Sequence, residues 1–190
     1  KTDEQRAQLD RSVQRLKAHA PQFMSVTFGA GGSTLSHTPE TVQRLRSEHG
    51  VAGVPHITCV GGSREEIRSL LKLYRALGCD RVVALRGDTP SGMARSGDLR
   101  YASELVALIR AEHGDHFQVE VAAYPETHPQ AEDAHVDLRN FKTKVDAGAN
   151  GAIASEYVAR AAADGHTLMF GYIATHGMNF LLRHARDAGG

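Results

Sequence analysis

Short apolar, partly β-branched runs alternate along this chain with longer stretches in which apolar residues recur every three or four positions. The runs are Phe23 to Thr27, Val54 to Thr58, Arg81 to Leu85 and Phe117 to Ala122, with weaker ones at Gly151 to Ala154 and Thr167 to Gly171. Between them lie five amphipathic patterns: Leu9, Val13, Leu16 and Lys17; Val42, Leu45 and Arg46; Ile67, Leu70, Leu71 and Tyr74; Leu105, Leu108 and Ile109; Leu138, Phe141 and Val145. Spacings of three and four put each set on one helix face, whereas the short runs suit strands. Ser63 ahead of Glu65 and Glu66 reads as a helix N-cap.

The first four runs start 31, 27 and 36 residues apart, the rhythm of repeated strand–helix units in a parallel sheet. A (β/α)8 barrel and a doubly wound sheet would both produce it. In either, a site forms at the C-terminal ends of the strands, and polar residues gather there: Thr27, Thr58, Arg86 to Asp88, and Tyr124 to His128. A full barrel takes about 250 residues. Six units in 190 residues therefore predict an incomplete barrel, if a barrel at all.

Composition narrows the classes. Hydrophobic residues make up 41% and charged residues 23%, as expected of a soluble α/β domain with a sizeable core. Lys plus Arg equals Asp plus Glu at 22 each, so no basic face favours nucleic acid or an anionic membrane. Cys59 and Cys79 form no CxxC pair, which disfavours a zinc site or a disulfide framework and suits a reducing cytoplasm. The opening residues lack the apolar core of a signal peptide, and no run is long enough to span a membrane. Because the chain opens already in helical pattern, a segment upstream is expected.

Four groups of residues carry candidate chemistry. Thr27-Phe28-Gly29-Ala30-Gly31-Gly32-Ser33-Thr34 is a glycine-rich loop that could bring backbone N–H groups close to a ligand, although it is neither a Walker loop nor GxGxxG. Arg86-Gly87-Asp88 follows the third run; it places a carboxylate beside a cation at a strand end, and otherwise reads as a surface ion pair of small worth. The same tripeptide matches an integrin-binding motif, which the strand context disfavours. In Tyr124-Pro125-Glu126-Thr127-His128-Pro129 two prolines stiffen the turn, so that Tyr124 can stack on a planar ring and His128 can meet a phosphate or hydroxyl. Asp137, Asn140 and Lys144 share one helix face, either a solvated stripe or a continuation of that site.

Taken in order, Ser25-Val26-Thr27-Phe28-Gly29-Ala30, Pro55-His56-Ile57-Thr58-Cys59, Ala84-Leu85-Arg86-Gly87-Asp88, Tyr101-Ala102-Ser103-Glu104-Leu105-Val106, Ala122-Ala123-Tyr124-Pro125-Glu126 with His128-Pro129, and Lys142-Thr143-Lys144-Val145-Asp146-Ala147-Gly148-Ala149-Asn150 resemble the methylenetetrahydrofolate reductases, collinearly over residues 1–150. The resemblance implies a (β/α)8 barrel with first strand and last units missing. It also implies FAD as cofactor, NAD(P)H as co-substrate, and reduction of 5,10-methylenetetrahydrofolate to 5-methyltetrahydrofolate in one-carbon metabolism and methionine biosynthesis. By the same resemblance Thr27, Phe28, Ala30 and His56 line the flavin site, Arg86 and Gly87 contact the cofactor, and Asp88 lies between flavin and folate as the catalytic carboxylate. Ala102, Tyr124, His128 and Ala131 continue the FAD contacts, followed by Asp137, Asn140, Thr143 and Lys144. Thr143 stands where the family often has a basic residue. A cytoplasmic homo-oligomer without a metal, membrane or nucleic-acid partner is implied.

The resemblance breaks down at both ends. The family's general acid is a Glu on a first strand upstream of the helix that opens this chain, and Ser155 stands where the family has a folate-contacting Gln. From Gly148 to Asn179 the string Gly148-Ala149-Asn150-Gly151-Ala152-Ile153, Val158-Ala159-Arg160-Ala161, Ala163-Asp164-Gly165-His166-Thr167-Leu168, Ala174-Thr175-His176 and Asn179 is similar to solute-binding proteins of tripartite tricarboxylate-type transporters. The expectation is a reductase-like portion at 1–150 and a divergent tail at 151–190, by chimerism, a misjoined frame or divergence. Three functions follow: a truncated, poorly active flavin-dependent reductase; a non-catalytic flavin-binding module; and a solute-binding fragment supported by the tail alone.

Overall fold

The computed structural model describes residues 3–27, 37–59, 62–87, 97–123 and 131–153. Helices and strands alternate throughout: α1 (Asp3–Lys17), β1 (Phe23–Val26), α2 (His37–Ser47), β2 (Ala52–Thr58), α3 (Arg64–Ala76), β3 (Arg81–Leu85), α4 (Ala102–His113), β4 (Gln118–Ala122), α5 (Ala134–Asp146) and β5 (Gly151–Ile153). Four runs expected as strands lie within two residues of β1 to β4, and the weak run at 151 is β5. The sixth, at 167–171, is outside the described residues.

All strand pairs are parallel, in the order β1-β2-β3-β4-β5. That order decides between the two folds the sequence left open. A doubly wound sheet reverses direction partway, so that its middle strand is an early one, whereas a barrel adds each strand beside the last. The chain forms a five-stranded arc of barrel type.

Alternation along the strands separates two faces. Ile57, Val82, Ala84, Val119 and Val121 join Ile67, Leu71 and Tyr74 of α3, Leu105, Val106 and Ile109 of α4, and Phe141 and Val145 of α5 in the main core. Val54 and Val83, packed by Phe23 and Leu85, form a smaller cluster on the other face, the inside of the arc. Gly53 permits the closest helix–sheet approach. A Cβ there would sit 3.0 Å from the Val42 Cα, so β2 and α2 touch backbone to backbone.

Among the apolar members of the helix patterns two are exposed, and the charged members Lys17 and Arg46 are exposed as well. Leu16 and Leu138 belong to the apolar patterns but are 39% and 51% exposed, because each lies at the margin of a stripe whose centre is Val13 or Phe141 and Val145. Ser63 caps α3 as predicted: Glu66 N–H donates to the Ser63 Oγ, and Ser63 N–H donates to the Glu66 carboxylate. Arg110 ties three segments together by donating to the carbonyls of Gly114, Phe117 and Gly148 and to the Asn150 side chain, which itself accepts from Val119 N–H.

Candidate functional site at the C-terminal strand edge

Parallel strands end at one edge, so Thr27, Thr58, Arg86, Gly87 and Ala123 are brought to a common rim by topology alone. Gly87 has φ +80°, a conformation that suits glycine and lets the chain turn sharply at the end of β3. Thr27 follows β1 and is exposed, and its carbonyl accepts from the Thr38 hydroxyl at the start of α2. Of the expected residues, Phe28, Ala30, Asp88, Tyr124 and His128 lie outside the described residues. Their described neighbours Thr27, Gly87 and Ala123 stand at the rim.

The rim is electrically uneven. Lys144 of α5 reaches across to donate to the Ala122 carbonyl at 2.9 Å, which fixes its ammonium at the end of β4. Burial lowers its proton affinity, the Asp137 carboxylate pulls the other way, and the Arg86 guanidinium lowers it further. Arg86 also acts on the Cys59 thiol at the end of β2. Among the described residues, Arg86 at the end of β3 and Asp137 of α5 thus both act on the Lys144 ammonium, one opposing its charge and the other favouring it. Asn140 on the same helix face is exposed. Thr143, one position from Lys144, spends its hydroxyl on the carbonyl of Arg139 in its own helix. Ala131 precedes α5 and is half-buried, and Ala102 is buried as the first residue of α4.

His56 lies one step inside the rim, on the inner face of β2, and is 8% exposed. Burial pushes its pKa down to about 4, so the ring is neutral near pH 7. Its Nε2 meets no hydrogen-bond partner, and a buried polar atom of this kind calls for one. Cys59, beside it in sequence, is a structural thiol. It donates to the carbonyls of Leu85 and Tyr101, and burial pushes its pKa up to about 12, far from a reactive thiolate.

Sequence reasoning missed an interior ion pair. The Arg81 Nη1 donates to the Glu120 Oε1 at 3.1 Å and its Nη2 to the Gln118 Oε1 at 2.7 Å, while the guanidinium lies 4.7 Å from the centre of the Phe23 ring. Glu120 is 1% exposed. The signal was present: a Glu between Val119 and Val121 in an otherwise apolar run must point opposite to both valines. Another cluster, Asp10, Glu48 and His49, brings three potential ligand atoms within 4.8 Å of one another. Arg44 already bonds both carboxylates there and His49 bonds Asp10, so the group is a helix-to-helix tie between α1 and α2. Among the described residues no helix is long and apolar enough to cross a membrane.

Comparison with known proteins shows which family the chain is similar to. The family model described as methylenetetrahydrofolate reductase matches residues 1–157, seven residues past the junction expected at 150. The 5,10-methylenetetrahydrofolate reductases of Salmonella typhimurium and Escherichia coli are each 41% identical over 153 residues, covering 80% of this chain and 50% of theirs. Methylenetetrahydrofolate reductase (NADH) 1 of Zea mays is 39% identical over 163 residues, covering 79% of this chain and 28% of its own. The chain spans about half the length of the bacterial relatives. None of these matches supports the transporter-like reading of the tail.

Proposed function

The chain belongs to the methylenetetrahydrofolate reductase family, and from that membership we propose that it builds the cofactor half of a flavin-dependent folate reductase site. The observation that carries the reading is the Lys144 ammonium held on the Ala122 carbonyl at the end of β4, under the influence of Arg86 and Asp137, together with the buried, partnerless Nε2 of His56 on the inner face of β2. A dinucleotide flavin needs a cationic place for its pyrophosphate and polar atoms for its ring edge and riboses. Arg86 and Lys144 supply the first, and His56 and Asn140 supply hydrogen-bonding groups. Residues and cofactor fit.

On this reading Lys144, anchored on the Ala122 carbonyl, and Arg86 hold phosphate oxygens, and Gly87 allows the backbone to approach. Asp137 offsets part of the cost that burial puts on the Lys144 charge. Thr27 and His56 border the ring, together with Phe28, Ala30, Tyr124, His128, Ala131 and Ala102 as the resemblance implies. When bound, FAD accepts hydride from a nicotinamide and passes it to the folate methylene carbon. By the resemblance, Asp88 is the carboxylate that would stabilise cationic folate. The Zea mays relative is named for NADH; for this chain NADH or NADPH is the proposed reductant. A cytoplasmic homo-oligomer completes the proposal, with residues 151–190 a tail that diverges from the family.

Titration of the chain with FAD, FMN and riboflavin, followed by flavin fluorescence, tests the reading. FAD is expected to bind most tightly, because α5 extends the site beyond what a mononucleotide occupies. Equal affinity for FAD and FMN would refute the dinucleotide assignment, and no binding to the folded chain would refute the flavin reading.

A further inference from the structure

The seam between α1 and α2 differs in kind from the rest of the packing. Among the described residues of α1 only Val13 is buried, and neither it nor half-buried Leu9 belongs to an apolar cluster of the core. What joins the two helices is polar and keeps a register. The Arg6 Nη2 donates to the Glu40 Oε1 at 3.1 Å, 34 residues away. The Arg44 Nη2 donates to the Asp10 Oδ1 at 3.0 Å, again across 34 residues. A turn further along, the Gln14 Nε2 lies 3.5 Å from the His49 Nδ1, and the His49 Nε2 lies 3.0 Å from the Asp10 carboxylate. Residues 6, 10 and 14 of α1, and 40, 44 and 48 of α2, recur every four positions, so each set forms one stripe along its helix. Cation meets anion in one row and anion meets cation in the next.

A seam of this kind is weak and open to screening. Arg6, Glu40 and Glu48 are exposed, and Asp10 and Arg44 are half-buried. Exposed pairs contribute little each, and salt weakens them further. A helix of 15 residues is marginal in water unless an apolar face packs it onto a body. By contrast, α3 buries Ile67, Leu71 and Tyr74 in the main core, and α4 buries Leu105, Val106 and Ile109 there.

A second observation lies on the connection from α1 to β1. Ala20 has φ +48°, and among the described residues it is the one non-glycine residue in the left-handed region. A Cβ makes that conformation costly, and glycine is the usual occupant just past a helix end. Undocking of α1 lets Ala20 relax, so the backbone strain works against the same helix that the polar seam holds.

We propose that α1 is a releasable strap. It leaves the face of α2 as one unit, turning about Ala20, while the sheet and α3 to α5 stay folded, and ionic strength sets how often it does so. The matched rows Arg6–Glu40, Asp10–Arg44 and Gln14–His49 return it to a single position. This device stands independently of the flavin reading.

Hydrogen exchange of the full chain, read by mass spectrometry on peptides from α1, α3 and α4, tests the proposal. It is run at about 0.01 M and about 1 M sodium chloride, between which the screening length falls from about 30 Å to about 3 Å. Amides of α1 are expected to exchange before those of α3 and α4, and high salt to speed α1 by about threefold or more relative to them. Asp10→Asn is expected to speed α1 by about 2- to 5-fold at low salt and to reduce its response to salt. Ala20→Gly is expected to slow α1 by about 2- to 10-fold. The proposal is overturned by α1 exchanging together with α3 and α4, by early exchange that salt does not change, or by an Ala20→Gly chain that exchanges α1 as fast as the wild type. If a variant does not fold, the wild-type salt series decides the question.

Discussion

Lys144→Met removes one charge from the rim and little else. Methionine keeps most of the length and bulk of the half-buried lysine side chain, and loses the bond to the Ala122 carbonyl at 2.9 Å. The effect on folding should be small. One hydrogen bond to a charged donor contributes about 1.5–3 kcal/mol, and removing the burial cost that lowers the proton affinity of Lys144 offsets much of it. The effect on a bound pyrophosphate has no such offset. Lost charge-assisted contact of about 1.5–3 kcal/mol corresponds to roughly 10- to 150-fold weaker FAD binding. The control is riboflavin, which has the ring but no phosphate. Fluorescence titration of both flavins should show FAD weakened and riboflavin nearly unchanged. In the wild type, FAD affinity should fall on the alkaline side at a pH below the ordinary lysine value, since burial and Arg86 depress the ammonium. Equal losses for FAD and riboflavin, or no loss for either, would show that Lys144 does not meet phosphate.

Three further outcomes are expected. Arg110→Ala leaves the Gly148 and Phe117 carbonyls without their donor and should destabilise the chain by about 3 kcal/mol in urea unfolding, a cost that an ordinary surface arginine would not show. His56 has a folded pKa of about 4, below the roughly 6.5 of an unfolded histidine, so its contribution is present above pH 6.5 and is lost as pH falls toward 4. The loss amounts to about 3 kcal/mol, and His56→Asn should flatten that part of the stability–pH curve. Gly53→Ala drives a methyl against the Val42 backbone at 3.0 Å and should cost about 1–3 kcal/mol by thermal melt, whereas the same change at Gly62, with its nearest neighbour at 3.7 Å, should cost much less.

The strands were legible because each is a short apolar run between helices of different period, and hydrophobic burial alone places them. Their order was not. Nothing in Val54 to Thr58 or Arg81 to Leu85 says whether the next strand adds to the near or the far edge, since that choice depends on where a whole helix returns. Parallel pairing in unbroken order settles it for a barrel arc. The helix stripes were legible at their centres, Val13, Leu71 and Phe141, and failed at their margins, where Leu16 and Leu138 face outward. A margin residue is apolar by tolerance, and its sequence spacing cannot show that.

The site divides along the same line. Arg86, Lys144 and Asp137 were nameable from resemblance and from their positions after strands or on one helix face. Their mutual effect is a tertiary fact: it arises because Lys144 stretches to the Ala122 carbonyl and so brings α5 charge to the end of β4, next to the strand that Arg86 follows. Glu120 shows the reverse case. Its position between two valines already fixes which way it points, but a charged residue on a strand is solvent-facing in most sheets. In a barrel arc the face opposite the helices is the interior. A carboxyl placed there is buried by architecture and must find its partners among other strands, as Glu120 does in Arg81. The polar residues of such strands are therefore best sought first on the face that the helices do not cover. There the parallel register, more than distance along the chain, says which of them share a rung.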